Sequence, residues 1–269
     1  MSDEKMRYMA VLEGAEVDLK LLAHCFTTDE YRVTYGESPK IGRGKLYMLS
    51  ASSLDLVPQE ERRMVPNVNG TQIEGVFDLM WSTVADEAKR LLGAMNGAAR
   101  LIQDQYKPVS VNSLHKFTLN GEWKGSSVTK PWGDTWRDYP MPSIQDGLPE
   151  MVRLWTRAGL ESEAVQFALT MYGTMPITWT MLYMVYEVIK DDMKLMGRDL
   201  SDLISKKKES DFRKSANHAR HPSQGPRHAF RTKLNPDNLV SFDRSKLIVH
   251  HLLNQWLGEK VGKVVTYSQ

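Results

Sequence analysis

A single cysteine, Cys25, stands among 269 residues, so the chain can close no internal disulfide and cannot assemble a cysteine-rich zinc site. That usage fits a reducing compartment. The opening MSDEKMRYMAVLEG carries acids and no long apolar core, so it does not read as a secretory signal, and the expected location is the cytoplasm. Neither an H-x3-H nor a CxxC spacing occurs, and His24 beside Cys25 is an isolated pair, so no metal is expected. No GxGxxG or Walker loop is present either. Gly42-Arg43-Gly44 is too short to cradle a nucleotide and reads as a turn, so no cofactor is expected.

Long apolar runs are also scarce. One stretch of 23 residues, Ala164 to Tyr186, has no charge and matches the roughly 20 residues that span a bilayer. It is interrupted by Gln166, four threonines, Gly173 and Pro176, with a turn-like YGTMP at its middle. Two buried helices are the expectation, with no membrane span. Charge of either sign is nearly balanced, 35 Lys and Arg against 33 Asp and Glu, and 41% hydrophobic residues with seven tryptophans are ample for a packed core.

The expected fold class is α+β, with a strand-rich domain over residues 1–146 and a helical bundle over 147–269. Met6 to Leu54 reads as short strands. Tyr31, Val33 and Tyr35 alternate with Arg32 and Thr34, Lys45 to Ser50 follows two glycines, and Val17 to Cys25 also reads as alternation. Asp55 to Gly75, with Pro58, Pro66, Asn69 and Gly70, reads as a loop. A helix follows from Ser82 to about Tyr106, in which Gly93 and Gly97 lie one turn apart and permit close packing against the sheet. Val109 to Leu119 and Glu122 to Val128 are strands joined by an Asn120-Gly121 turn. Lys130 to Gly147 reads as an interdomain linker, with Trp132, Trp136 and Tyr139 beside Arg137 either stacking on bases or gluing linker to bundle. Helices are then expected at Leu148–Ala158, Glu161–Tyr172, Ile177–Met196, Asp199 to about His218, and Asp243–Gly258.

What the chain does have is concentrated charge. From Lys206 to Lys233 there are nine Lys or Arg and only two acids, Glu209 and Asp211, so this stretch holds +7 and the rest of the chain −5. His218, His221 and His228 fall inside it, each preceded within five residues by an arginine. Such a cluster suits a phosphate ligand. Lys206, Lys207, Lys208, Lys214, Arg220, His221, Arg227 and His228 are the candidate phosphate contacts, although a lysine run also suits a plain solvated helix face. Arg213 and His218 are separated by five residues, a displacement of about 140° beyond one full turn. Cleaving RNA without a metal needs a base for the 2′-hydroxyl proton and a cation for the charge growing on phosphorus, and a His with an Arg supplies both near neutral pH. His250 and His251 flank the apolar stripe of the last helix, where partly buried, hydrogen-bonded histidines are the expectation.

The R-x4-H element Arg213-Lys214-Ser215-Ala216-Asn217-His218, in a small helical bundle and followed by a loop and a terminal helix, resembles the HEPN superfamily. The likeness covers roughly Leu148 to Gln269, and FRKSANHARHPSQGPRHA resembles a HEPN-like form of bacterial proteins. Members of that superfamily are commonly metal-independent ribonucleases of toxins and phage defence, in which two copies of the motif meet across a dimer interface. The resemblance implies Arg213 as phosphate clamp, His218 as general base or acid, Asn217 as orienting group, RNA as ligand and a homodimer. Lys214 stands where the superfamily usually has Asn, Asp or His, whereas Arg220-His221 supplies that pair. The alternative is a non-catalytic interaction subunit whose basic loop docks on a partner protein or on nucleic acid.

Overall fold

The structure is a computed structural model that describes residues 5–28, 30–37, 45–56, 60–66, 72–128, 147–173, 176–217 and 239–262. Its α+β architecture comprises a five-stranded antiparallel sheet and seven α-helices among those residues. Two compact units emerge. One holds residues 1–92 and 109–145, the other 93–108 and 146–269.

In the first unit, β1 (Met6–Glu13), β2 (Tyr31–Glu37), β3 (Lys45–Leu56), β6 (Ser110–Thr118) and β7 (Trp123–Val128) form the sheet in the order β2-β3-β1-β6-β7. β1 is central because Tyr8, Ala10, Val11 and Leu12 are all buried, against an expectation for edge strands of alternating exposure. Between β1 and β6 the register slips by one residue. Val11 faces Ser113 and Leu12 faces Val111, so Asn112 is the extra residue of a bulge. The β6–β7 hairpin is present, with its turn bond from Gly121 N–H to Thr118 O at 2.9 Å and Gly121 at φ +89°. The turn therefore starts one residue earlier than a two-residue Asn-Gly loop would place it, and the glycine alone is required for its left-handed backbone.

Two expectations for this unit are corrected. Val17 to Cys25 is a helix, α1 (Glu16–Cys25), not a strand. Val17, Leu21, Leu22 and Cys25 recur at helical spacing and are buried, and Glu16 and Asp18 lie in the first turn where the helix dipole favours acids. Residues 60–66 and 72–78 are not loop but two paired antiparallel strands, β4 (Glu60–Pro66) and β5 (Gln72–Asp78), registered from Glu60 opposite Asp78 to Pro66 opposite Gln72. Helix α2 (Met80–Ile102) follows; Trp81 meets the edge of the Tyr8 ring, 5.3 Å between centroids. The linker reading of 130–147 lies outside the described residues except at Gly147.

The second unit contains α3 (Leu148–Glu161), α4 (Glu163–Gly173), α5 (Trp179–Leu195), α6 (Lys206–Ala216) and α7 (Phe242–Lys260). The uncharged run from Ala164 to Tyr186 is divided between α4 and α5, and no helix among the described residues is long and apolar enough to cross a membrane. The core gathers Trp155, Leu169, Tyr172, Tyr186, Ile189, Phe212, Leu253 and Trp256, all at most 2% exposed. The α7 stripe of Val249, Leu253, Trp256 and Leu257 is buried as its spacing requires. Trp256 donates its indole N–H to Asp192 at 2.8 Å, and Lys260 closes on the same carboxylate at 2.7 Å. The helix expected over Asp199–His218 is broken in two. A 3-10 turn at Leu200–Asp202 ends before Ser205, whose extended backbone lets its hydroxyl cap α6 by accepting from Lys208 N–H at 3.4 Å.

Gly93 and Gly97 do permit a close approach, but the partner in this unit is α4 and not the sheet. A Cβ on Gly97 would lie 2.1 Å from the Leu169 carbonyl oxygen, and one on Gly173 would lie 2.6 Å from Gly97 N. The backbones meet there without a side chain between them.

Candidate functional site

Helix α6 carries the described part of the basic stretch. Its buried face is Phe212, Ser215 and Ala216, with Phe212 set against Tyr183 and Tyr186 at centroid distances of 6.3 and 5.4 Å. Lys206, Lys207, Lys208, Arg213 and Lys214 are all on the exposed remainder. Three lysines in a first turn oppose the helix dipole, since that end is already partly positive, and Glu209 alone offsets them there. The result is a locally concentrated positive potential of the kind that attracts phosphate oxygens.

At the other end of α6, Asn217 closes the helix. Its side-chain amide donates to the Arg213 carbonyl at 2.9 Å, and its backbone N–H reaches the same oxygen at 3.2 Å. The Asn217 side-chain oxygen Oδ1 is buried with no hydrogen-bond partner among the described residues. Arg213 is half-exposed, with its guanidinium 3.8 Å from Glu209, one turn back. Glu209 in turn accepts the Tyr186 hydroxyl at 2.6 Å, and burial together with this bond pushes the Tyr186 hydroxyl's pKa upward. Ser215 fastens the chain beyond the stretch. Its hydroxyl donates to Asp211 O at 2.8 Å and accepts the Val240 N–H at 2.9 Å. His218, Arg220, His221, Arg227 and His228 lie outside the described residues, as do Trp132, Trp136, Arg137 and Tyr139.

Compared with known proteins, the chain matches no family model, no curated protein and no solved structure.

A second polar cluster lies inside the same unit. His250 on α7 shares a hydrogen bond of 3.0 Å with the Tyr172 hydroxyl, and Arg100 donates to the Tyr172 carbonyl at 3.3 Å. Lys246, one turn before His250, donates to Asp104 at 2.7 Å, and Tyr106 donates to Asn96 at 2.6 Å. Burial lowers the pKa of His250 and of Arg100 and raises that of Tyr172; the Lys246 bond lowers that of Asp104. The hydrogen-bonded reading of His250 is borne out, whereas His251 is exposed. Sequence reasoning missed Arg100 and Tyr172. The only signal was the four-residue spacing of Lys246 with His250, which places that pair on one face of α7; Asp104 lies just past the end of α2.

Among the described residues of the sheet unit, one cavity of about 220 Å³ opens beside Arg7, Arg32 and Asp55, and another of about 350 Å³ where β1 runs into α1.

Proposed function

We propose that the helical unit binds RNA through the basic stretch that begins at Lys206, and that it cleaves RNA without a metal in the manner of the HEPN-like nucleases it resembles. The carrying observation is the presentation of cations on α6. Lys206, Lys207, Lys208, Arg213 and Lys214 are exposed on an eleven-residue helix, while Ser215 holds the chain entering and leaving residues 218–238 to one place. Unspecific phosphate contact requires this density of charge, and clamping the scissile phosphate requires an accessible arginine such as Arg213.

In this scheme His218 takes the proton of a ribose 2′-hydroxyl as that oxygen attacks the adjacent phosphorus. The bond from phosphorus to the 5′-oxygen breaks, and the leaving oxygen takes a proton from the His218 of a second copy in the homodimer. Arg213 holds the charge that builds on the phosphoryl oxygens. The products are a 2′,3′-cyclic phosphate and a 5′-hydroxyl.

A second reading is favoured by one contact. Arg213 already faces Glu209 at 3.8 Å, and a guanidinium held there serves docking better than catalysis. Under it the protein is a non-catalytic subunit whose basic stretch binds nucleic acid or an acidic partner. Salt-dependent binding to a short single-stranded RNA separates the two. Each phosphate contact contributes a slope of about 0.7 in log K against log salt. Replacing Lys206, Lys207 and Lys208 together with alanine should reduce that slope by about 2, whereas His218→Ala should leave affinity intact and abolish cutting. Equal loss of binding in both variants with no cutting by the parent protein would leave only the docking role, and no RNA binding at all would remove both.

A further inference from the structure

The larger cavity of the sheet unit is built from four strands and a helix. Where β1 ends and α1 begins, Glu13 and Glu16 stand on its rim with Asn112, and Tyr35 and Tyr47 form its opposite wall. The sheet register explains the grouping. Leu12 on β1 faces Tyr47 on β3, and Tyr47 faces Tyr35 on β2, so the three side chains form one row on one face. The two tyrosine rings lie 4.7 Å apart, tilted by 33°.

The bulge supplies the polar side. As the residue without an opposite number on β1, Asn112 is turned out of the regular alternation. Although only 3% exposed, it donates its amide to Glu13 Oε2 at 3.2 Å. That bond occupies one carboxylate oxygen of Glu13. Tyr47 is 7% exposed and contributes its ring to this wall. Glu16 pairs with Lys20 at 2.7 Å, and the Lys20 charge also reaches Tyr35 and Tyr47, although Lys20 does not line the cavity. The wall thus carries two carboxylates and no cationic side chain among the described residues.

We propose that this cavity binds a small organic cation, a protonated alkylamine, with its ammonium between the Glu13 carboxylate and the Tyr35 and Tyr47 rings and its alkyl chain along the leucines of β1, β3 and α1. Carboxylate and ring faces attract the same charge, the first by hydrogen bonding and the second through the ring quadrupole. The volume of about 350 Å³ lies within the usual range for small-molecule sites. Anionic ligands such as nucleotides are repelled by both acids, so this site is independent of RNA binding by the helical unit.

The test is calorimetric titration of the full chain with n-butylammonium and with spermidine, using n-butanol as the uncharged control. Both amines should bind and butanol should not. Glu13→Gln should weaken binding about tenfold, and Tyr35→Ala, at an exposed ring, about three- to tenfold. Lys20→Ala should strengthen it, because it removes the positive charge paired with Glu16; a folding defect would not produce that gain. Absence of heat and of chemical-shift change up to ~10 mM amine, equal binding of butanol, or affinity unchanged by Glu13→Gln and Lys20→Ala would each overturn the proposal.

Discussion

Gly97→Ala places a methyl carbon 2.1 Å from the Leu169 carbonyl oxygen and 2.6 Å from the Leu169 carbonyl carbon. Ordinary contact needs well over an ångström more, and the obstacle is backbone that no rotamer change removes. Overpacking of this kind costs about 1–3 kcal/mol, with rigid backbone at the upper end. Alanine recovers about 1 kcal/mol over glycine inside a helix. The net expected loss is about 2 kcal/mol, which for a chain of this size lowers the melting temperature by about 4–8 °C. Urea titration followed by circular dichroism reads it directly. Gly125→Ala is the control, because its Cβ would come no nearer than 4.0 Å to any atom, that of the Trp81 ring. If Gly97→Ala is neutral or stabilising while the control behaves, the α2–α4 backbone approach is wrong.

His250 titrates below its ordinary value of 6.5 because burial disfavours its charged form. The unfolded chain therefore binds the proton more readily than the folded one, so stability should be full above about pH 6.5 and fall as pH drops below it. The urea midpoint should decline from pH 7 to pH 5.5, and His250→Gln should flatten that decline. Ser215→Ala removes the acceptor of the Val240 N–H and should cost about 1–2 kcal/mol; it should also speed proteolytic cutting between Asn217 and Leu239, read by mass spectrometry. Unchanged cutting would mean that the Ser215 tether does not hold that segment.

Much of the fold could be read from local pattern. Alternation along Tyr31 to Tyr35, the spacing of Val249, Leu253, Trp256 and Leu257, and the breakers inside the uncharged run each reported a physical constraint that acts within a few residues. Where the pattern misled, two periods fitted one segment. Val17 to Cys25 satisfies both alternation and helical spacing, and burial of Asp18 along with the apolar residues erased the contrast that would have decided between them. The β4–β5 pair carries Glu60, Glu61, Arg62 and Arg63 in succession, so no apolar period marks it. The candidate site divides similarly. Exposure of the α6 cations follows from local charge, while Tyr172 meets His250 across 78 residues and Arg100 across 72, contacts that no window of sequence contains.

The proposed role of Arg213 and His218 in cleaving RNA has a direct test. Incubating the purified protein with a single-stranded RNA in EDTA, and resolving the fragment ends, tests it most directly. Fragments ending in 2′,3′-cyclic phosphate are expected, lost in both Arg213→Ala and His218→Ala. Intact RNA, or cutting that survives His218→Ala, would contradict it.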